Sequence, residues 1–160
     1  MPNAKYDKKL SANYSSLIKQ DPLKVYAQYP STLHYLKNIK NKKILDIGCG
    51  DGLLPRMLAE KGAKVVAFDV SKEQIALAKK LSRGINIKYL VASPEKFKTA
   101  EKFDRAISTM VLIYARDLQE VKDFFTCAYN ALKPGGILAA DHKIQALQNN
   151  AAQKIKNNPA

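Results

Sequence analysis

Lys43-Ile44-Leu45-Asp46-Ile47-Gly48-Cys49-Gly50-Asp51-Gly52 decides the fold of this 160-residue chain. A short apolar run ends in a carboxylate, and glycine then occupies every second position. The residues that follow, 53–61, read as a helix. Strand, tight glycine loop and helix together bring backbone N–H groups against a ligand. Glycine suits such a loop because it enters backbone conformations closed to other residues and has no Cβ to hold a ligand away.

The spacing of the glycines narrows the ligand. A dinucleotide fingerprint needs G-x-G-x-x-G, with the third glycine allowing close helix–strand packing. Here the third glycine, Gly52, comes one position early, and Leu53 stands in the expected place. Asp46 would repel a pyrophosphate but suits an ammonium group. The next apolar run, 64–68, ends in Asp69, and an acidic residue at the end of a second strand is placed to accept from ribose hydroxyls. A ribose and a cationic amino-acid end are therefore the features this loop selects.

Four stretches in order carry a family resemblance: Leu-Asp-Ile-Gly-Cys-Gly-Asp-Gly at 45–52, Phe-Asp-Val-Ser at 68–71, Phe-Asp-Arg-Ala-Ile-Ser at 103–108 and Leu-Lys-Pro-Gly-Gly-Ile-Leu at 132–138. Over 43–143 the chain resembles the class I S-adenosylmethionine-dependent methyltransferases. The resemblance implies S-adenosyl-L-methionine as cofactor. Asp46, with Gly48, Cys49 and Gly50, would meet its amino-acid end, and Asp69 its ribose. Val70 would pack on the adenine. Many members carry an acidic residue for the adenine amine where this chain has Ser93, a weaker neutral acceptor; backbone groups near Ala92 and Pro94 would share that task. Ser108 falls where relatives line the space between cofactor and acceptor, and Tyr114 where many have an aromatic or histidine over the acceptor. Tyr14 matches a tyrosine that closes over the cofactor's carboxylate. His142, after the fifth strand, is a candidate general base near neutral pH. Each residue also has a plainer structural reading: Asp46 as a cap for its own loop, Asp69 as a helix cap, Val70 and the tyrosines as packing.

The pattern along the chain predicts an α/β domain. Strands are expected at 43–47, 64–68, 86–91, 104–109 and 136–141, with helices at 53–61, 72–81 and 118–132. Ser71 is the expected cap of the second helix, and the run 133–136 is a helix stop and turn. Alternating strands and helices imply a parallel, doubly wound sheet; right-handed crossovers and the resemblance give a Rossmann-like order 3-2-1-4-5. Residues 1–42 read as an aromatic-rich helical cap, broken near Pro22 and Pro30. Residues 144–160 are a polar tail, helical or disordered. The family's usual last two strands find no matching stretch. A shortened member and a sheet completed by a partner are both consistent with this, and a bare fifth-strand edge favours a homo-oligomer.

Net charge is +13, with nine lysines against two aspartates in residues 1–43. A solvated basic surface accounts for this, and attraction to an anionic partner such as nucleic acid is the alternative. Cys49 and Cys127 have neither metal-ligand spacing nor a paired framework, so no metal is expected. No apolar run has the length of a membrane span and no signal-peptide pattern precedes the domain, so a cytoplasmic protein without membrane contact is expected.

The reaction class follows from the resemblance. A sulfonium-borne methyl group needs no protein nucleophile, and alignment can contribute on the order of 7–11 kcal/mol. The run 108–111 lacks the paired prolines of enzymes that methylate base amines, which favours a small-molecule acceptor. Transfer to RNA or protein, or a shortened non-catalytic cofactor-binding module, are the alternatives. A nicotinamide oxidoreductase is disfavoured by Asp46 and Leu53.

Overall fold

The computed structural model describes residues 24–141, which form five parallel strands with helices on both faces. The strands are β1 (Lys43–Ile47), β2 (Lys64–Asp69), β3 (Ile87–Val91), β4 (Phe103–Thr109) and β5 (Leu132–Asp141). Their order is β3-β2-β1-β4-β5, as the sequence pattern predicts, and every neighbouring pair is parallel. The helices are α1 (Tyr29–Leu36), α2 (Leu53–Glu60), α3 (Lys72–Leu81) and α4 (Leu118–Ala131). A π-helical segment, Lys24–Gln28, runs directly into α1, so the break expected near Pro30 does not occur: the helical backbone continues through Gln28 and Pro30 lies early in α1. Pro22 lies outside the described residues.

Side-chain alternation in β1 sorts the core into two layers. Leu45 and Ile47 face one layer with Phe68, Phe103, Ala106 and, from α4, Val121, Phe124 and Ala128. Ile44 faces the other with Val65, Ala67 and Ile107, and with Leu54 and Leu58 of α2 and Ile75 and Ala78 of α3. Leu36 of α1 closes that second layer. Near-continuous apolar strands are what a sheet buried on both sides requires.

The passage from β3 to β4, residues 92–102, holds no helix. It returns from the edge of the sheet across two strands, covering that face chiefly with one side chain. Phe97 stacks on Phe68 with ring centroids 4.4 Å apart and planes 16° from parallel. Such a pair contributes about 0.5–1.5 kcal/mol beyond its burial.

Every strand and helix given bounds from the sequence lies within one residue of them, except at the start of β5. β5 begins at Leu132 rather than residue 136, because α4 ends at Ala131 and Leu132 pairs at once with Phe103. Lys133–Gly136 then form an irregularity within the ladder, with Gly135 at φ +74°. Ser71 caps α3 as read, its hydroxyl accepting from Gln74 N–H at 3.1 Å.

Candidate active site

In a parallel sheet the site lies beyond the carboxyl ends of the strands, where the order reverses. Here the reversal falls between β1, whose helix runs toward β2, and β4 on its other side. Residues 48–52 leave β1 at that point. Gly48 and Cys49 both donate their N–H groups to the carbonyl of Phe68, at 2.8 and 3.0 Å, so the loop folds over the end of β2. Gly48, Gly50 and Gly52 all have left-handed φ. A Cβ at Gly48 would overlap Val111, whereas one at Gly50 would meet nothing within 4 Å. Gly48 is thus fixed by close packing, while Gly50 borders open space.

Asp46 and Asp69 come together around this loop and differ in what they touch. The pairing Ile47↔Phe68 puts Asp69 one rung beyond the end of β1. Its Oδ2 accepts from Gly50 N–H and its Oδ1 from Ser71 N–H, each at 2.9 Å. The carboxylate that accepts from the loop is therefore Asp69, where the plainer sequence reading has Asp46 as the cap of that loop. Burial raises the pKa of Asp69, and the N–H groups of Ser71, Gly50 and Val70 oppose the rise. Asp46 is 1% exposed and its Oδ1 has no hydrogen-bond partner. Burial, reinforced by the charge of Asp69, pushes its pKa up to about 8.

A buried carboxyl oxygen without a partner is costly. It becomes favourable when a positive, hydrogen-bonding group arrives. Cys49 does not supply a nucleophile: burial, then the nearby Asp46 and Asp69, hold its thiol well above the usual range, so it stays protonated. Among the described residues no group of three His, Cys, Asp or Glu could hold a metal ion.

The other predicted residues divide. Val70 is 46% exposed just past β2, which removes the core-packing reading. The Oγ of Ser93 is buried without a partner, while its carbonyl accepts from Lys96 and Phe97 N–H. Pro94 lines a groove of about 510 Å³ between the 92–102 passage and α4. Tyr114 ends a 3₁₀ turn, Leu112–Tyr114, and is half exposed on the same end of the sheet. Ser108 is different: it is fully buried and donates to the Ile47 carbonyl at 2.9 Å, fastening β4 to the end of β1. Tyr14 and His142 lie outside the described residues.

Two groups at the site, Asp51 and Arg56, escape the sequence reading. Asp51 is 3% exposed, accepts from Leu53 N–H at 3.2 Å and leaves Oδ2 without a partner. Arg56 donates to the Asp51 carbonyl at 2.7 Å, tying α2 back to the loop. Met110, a non-glycine residue at φ +60°, turns the chain so that Val111 covers Gly48. Only the glycine run hinted at Asp51 and Arg56, whereas Met110 directly follows β4, at the strand end read as lining the space between cofactor and acceptor.

A reversed parallel sheet, a left-handed glycine loop, the buried Asp46 and the partly buried Asp69 define an α/β domain of the class I methyltransferase type. Comparison with known proteins agrees: a methyltransferase domain family matches residues 44–136. The chain belongs to that family, the class I S-adenosylmethionine-dependent methyltransferases. It is 40% identical over 105 residues to a ubiquinone biosynthesis O-methyltransferase of Pelagibacter ubique, an alignment covering 64% of this chain and 42% of that protein. The human mitochondrial protein of that name is 38% identical over 109 residues, with 64% and 29% covered. The chain thus spans less than half the length of these curated relatives. Among solved structures, an S-adenosylmethionine-dependent methyltransferase of Mesorhizobium loti is 31% identical with a TM-score of 0.64, covering 75% of this chain and 56% of that one. The N-methyltransferase NodS of Bradyrhizobium japonicum bound to S-adenosyl-l-homocysteine, at 24% identity and TM-score 0.67, shares the fold; 82% of this chain and 71% of that one are covered.

Proposed function

We propose that this chain binds S-adenosyl-L-methionine and transfers its methyl group to a hydroxyl of a small-molecule acceptor. The carrying observation is Asp46: a fully buried carboxyl at the tip of β1 with an unpartnered oxygen, beside a loop that stands open at Gly50. These residues fit the cofactor. Asp46 answers its ammonium end, Asp69 keeps acceptor capacity for ribose hydroxyls beyond its bonds to backbone N–H groups, and half-exposed Val70 offers an apolar face for adenine. Ser93 supplies a free buried hydroxyl at the same end of the sheet.

When bound, S-adenosyl-L-methionine supplies a methyl group already activated by positive sulfur. The chain's residues then bind, orient and exclude water. Asp69 holds Gly50 in place, Val111 walls the loop, and Tyr114 stands exposed where an acceptor would enter. A hydroxyl acceptor needs a base, and His142 and Tyr114 are the residues proposed for proton transfer. The hydroxyl class rests on the O-methyltransferase relatives.

The outer side of β5 has no strand partner among the described residues, and a homo-oligomer would form there. No described helix is long and apolar enough to cross a membrane. The excess of lysine keeps an RNA acceptor as the second reading, to be recognised by strongly salt-dependent binding. Calorimetric titration with S-adenosylmethionine and S-adenosylhomocysteine tests the cofactor, and a screen of hydroxylated aromatic acceptors tests the transfer. Binding of neither nucleoside would reject the proposal.

A further inference from the structure

We propose that Tyr89 is a positioning residue for the glycine loop: its hydroxyl sits behind Gly52 and sets the backbone from which the nucleoside-binding N–H groups are presented. The inference rests on the cofactor reading above and assigns a task to a residue outside the ligand cleft.

Tyr89 lies in β3, is 6% exposed, and packs in the layer shared with α2 and α3. Its hydroxyl is 2.9 Å from Ser82 Oγ and 3.5 Å from the Gly52 carbonyl. Ser82 is the buried residue that ends α3. Gly52 is the residue that starts α2: its N–H donates to the Cys49 carbonyl and its carbonyl accepts from Arg56 N–H, both at 3.0 Å. One hydroxyl therefore touches the end of one helix and the start of another. The loop itself lies between the latter and β1.

The steric side is stronger still. A Cβ on Gly52 would overlap the Tyr89 hydroxyl and stand 3.0 Å from Ala78 Cβ. At φ +77° any side chain would also be strained. Gly52 thus answers to the tyrosine behind it, while Gly50 faces open space. Burial is the first reason the Tyr89 phenol is pushed up to about 12, so it remains a neutral donor wherever the protein is handled.

The test is a double-mutant cycle with Tyr89→Phe, Gly52→Ala and the pair, read by S-adenosylhomocysteine titration and by thermal melting. Tyr89→Phe should weaken the nucleoside about tenfold, the loss expected when a buried hydroxyl is removed from its partners. Gly52→Ala should cost less affinity in the Phe background than in the parent by about threefold or more, since residues in contact do not add. Asp117→Ala, which removes the cap of α4, controls for stability: it should lower the melting temperature and leave the dissociation constant within about twofold. Unchanged affinity in Tyr89→Phe, or strictly additive losses in a parent that binds, would overturn the positioning role alone. A parent that binds no nucleoside would sink the cofactor reading, and the role then stands or falls on whether the melting losses of Tyr89→Phe and Gly52→Ala are coupled.

Discussion

Asp46→Asn should stabilise this protein while abolishing the function proposed for it. The folded-state pKa of Asp46 is about 8, against 3.8 for the free side chain. Below about pH 4 both folded and unfolded chains hold the proton, and the carboxyl costs the fold nothing in charge. Between pH 4 and 8 the unfolded chain releases the proton and the folded chain keeps it. Stability therefore falls as pH rises through this window and levels off above it. Each unit is worth about 1.4 kcal/mol, so between pH 5 and 8 the loss reaches up to about 4 kcal/mol. Asparagine has nearly the same shape and does not titrate, so it escapes the loss. Urea unfolding followed by circular dichroism at pH 5, 7 and 9 reads the difference between variant and parent; other groups, Asp69 among them, largely cancel. The variant's advantage should grow with pH up to about 8 and then stay constant. Saturating S-adenosylmethionine should reverse the ranking, because only the parent gains from the ligand. A variant that is less stable at every pH, or whose advantage does not change with pH, would refute the reasoning.

Three further outcomes follow from the same structure. Because Asp46 is mostly protonated at neutral pH, nucleoside binding should release close to one proton; calorimetry in buffers of different ionisation enthalpy measures it, and release should vanish in Asp46→Asn. Asp69→Ala removes the acceptor of Gly50 and Ser71 N–H, and should cost about 1–3 kcal/mol of stability along with most nucleoside affinity; denaturant titration and calorimetry check the two losses separately. Phe97→Ala removes the ring stacked on Phe68, and should cost about 3–5 kcal/mol in denaturant unfolding without a matching change in S-adenosylhomocysteine affinity per folded molecule.

The central sheet was legible because its strands are short apolar runs, the first running into Gly48 and the second ending in Asp69. β1, β2 and α3 lie within a residue of where the pattern puts them. The start of β5 was not, since Lys133-Pro134-Gly135-Gly136 reads as a turn by every local rule and only pairing with β4 draws it into the sheet. The site was legible as a pair of carboxylates but not as a division of labour. Which of Asp46 and Asp69 meets the loop N–H groups depends on how the loop folds over Phe68, a contact between residues 20 apart. Ser108 reads as a cleft residue from its place at a strand end, yet its side chain turns inward to Ile47. Tyr89 and Gly52 lie 37 positions apart, and no periodicity in the sequence connects them.

The helix-free passage between β3 and β4 offers an engineer a place to add sequence. Its far end, around Thr99 and Ala100, approaches the start of β4, at the opposite pole of the sheet from the glycine loop, and Phe97 rather than the tip supplies the packing. Doubling the length of a flexible connection costs only about 0.6 kcal/mol of closure entropy. A reporter peptide or an entire guest domain spliced at 99–100 should therefore leave ligand recognition intact, which makes that corner a natural attachment point for biosensor construction.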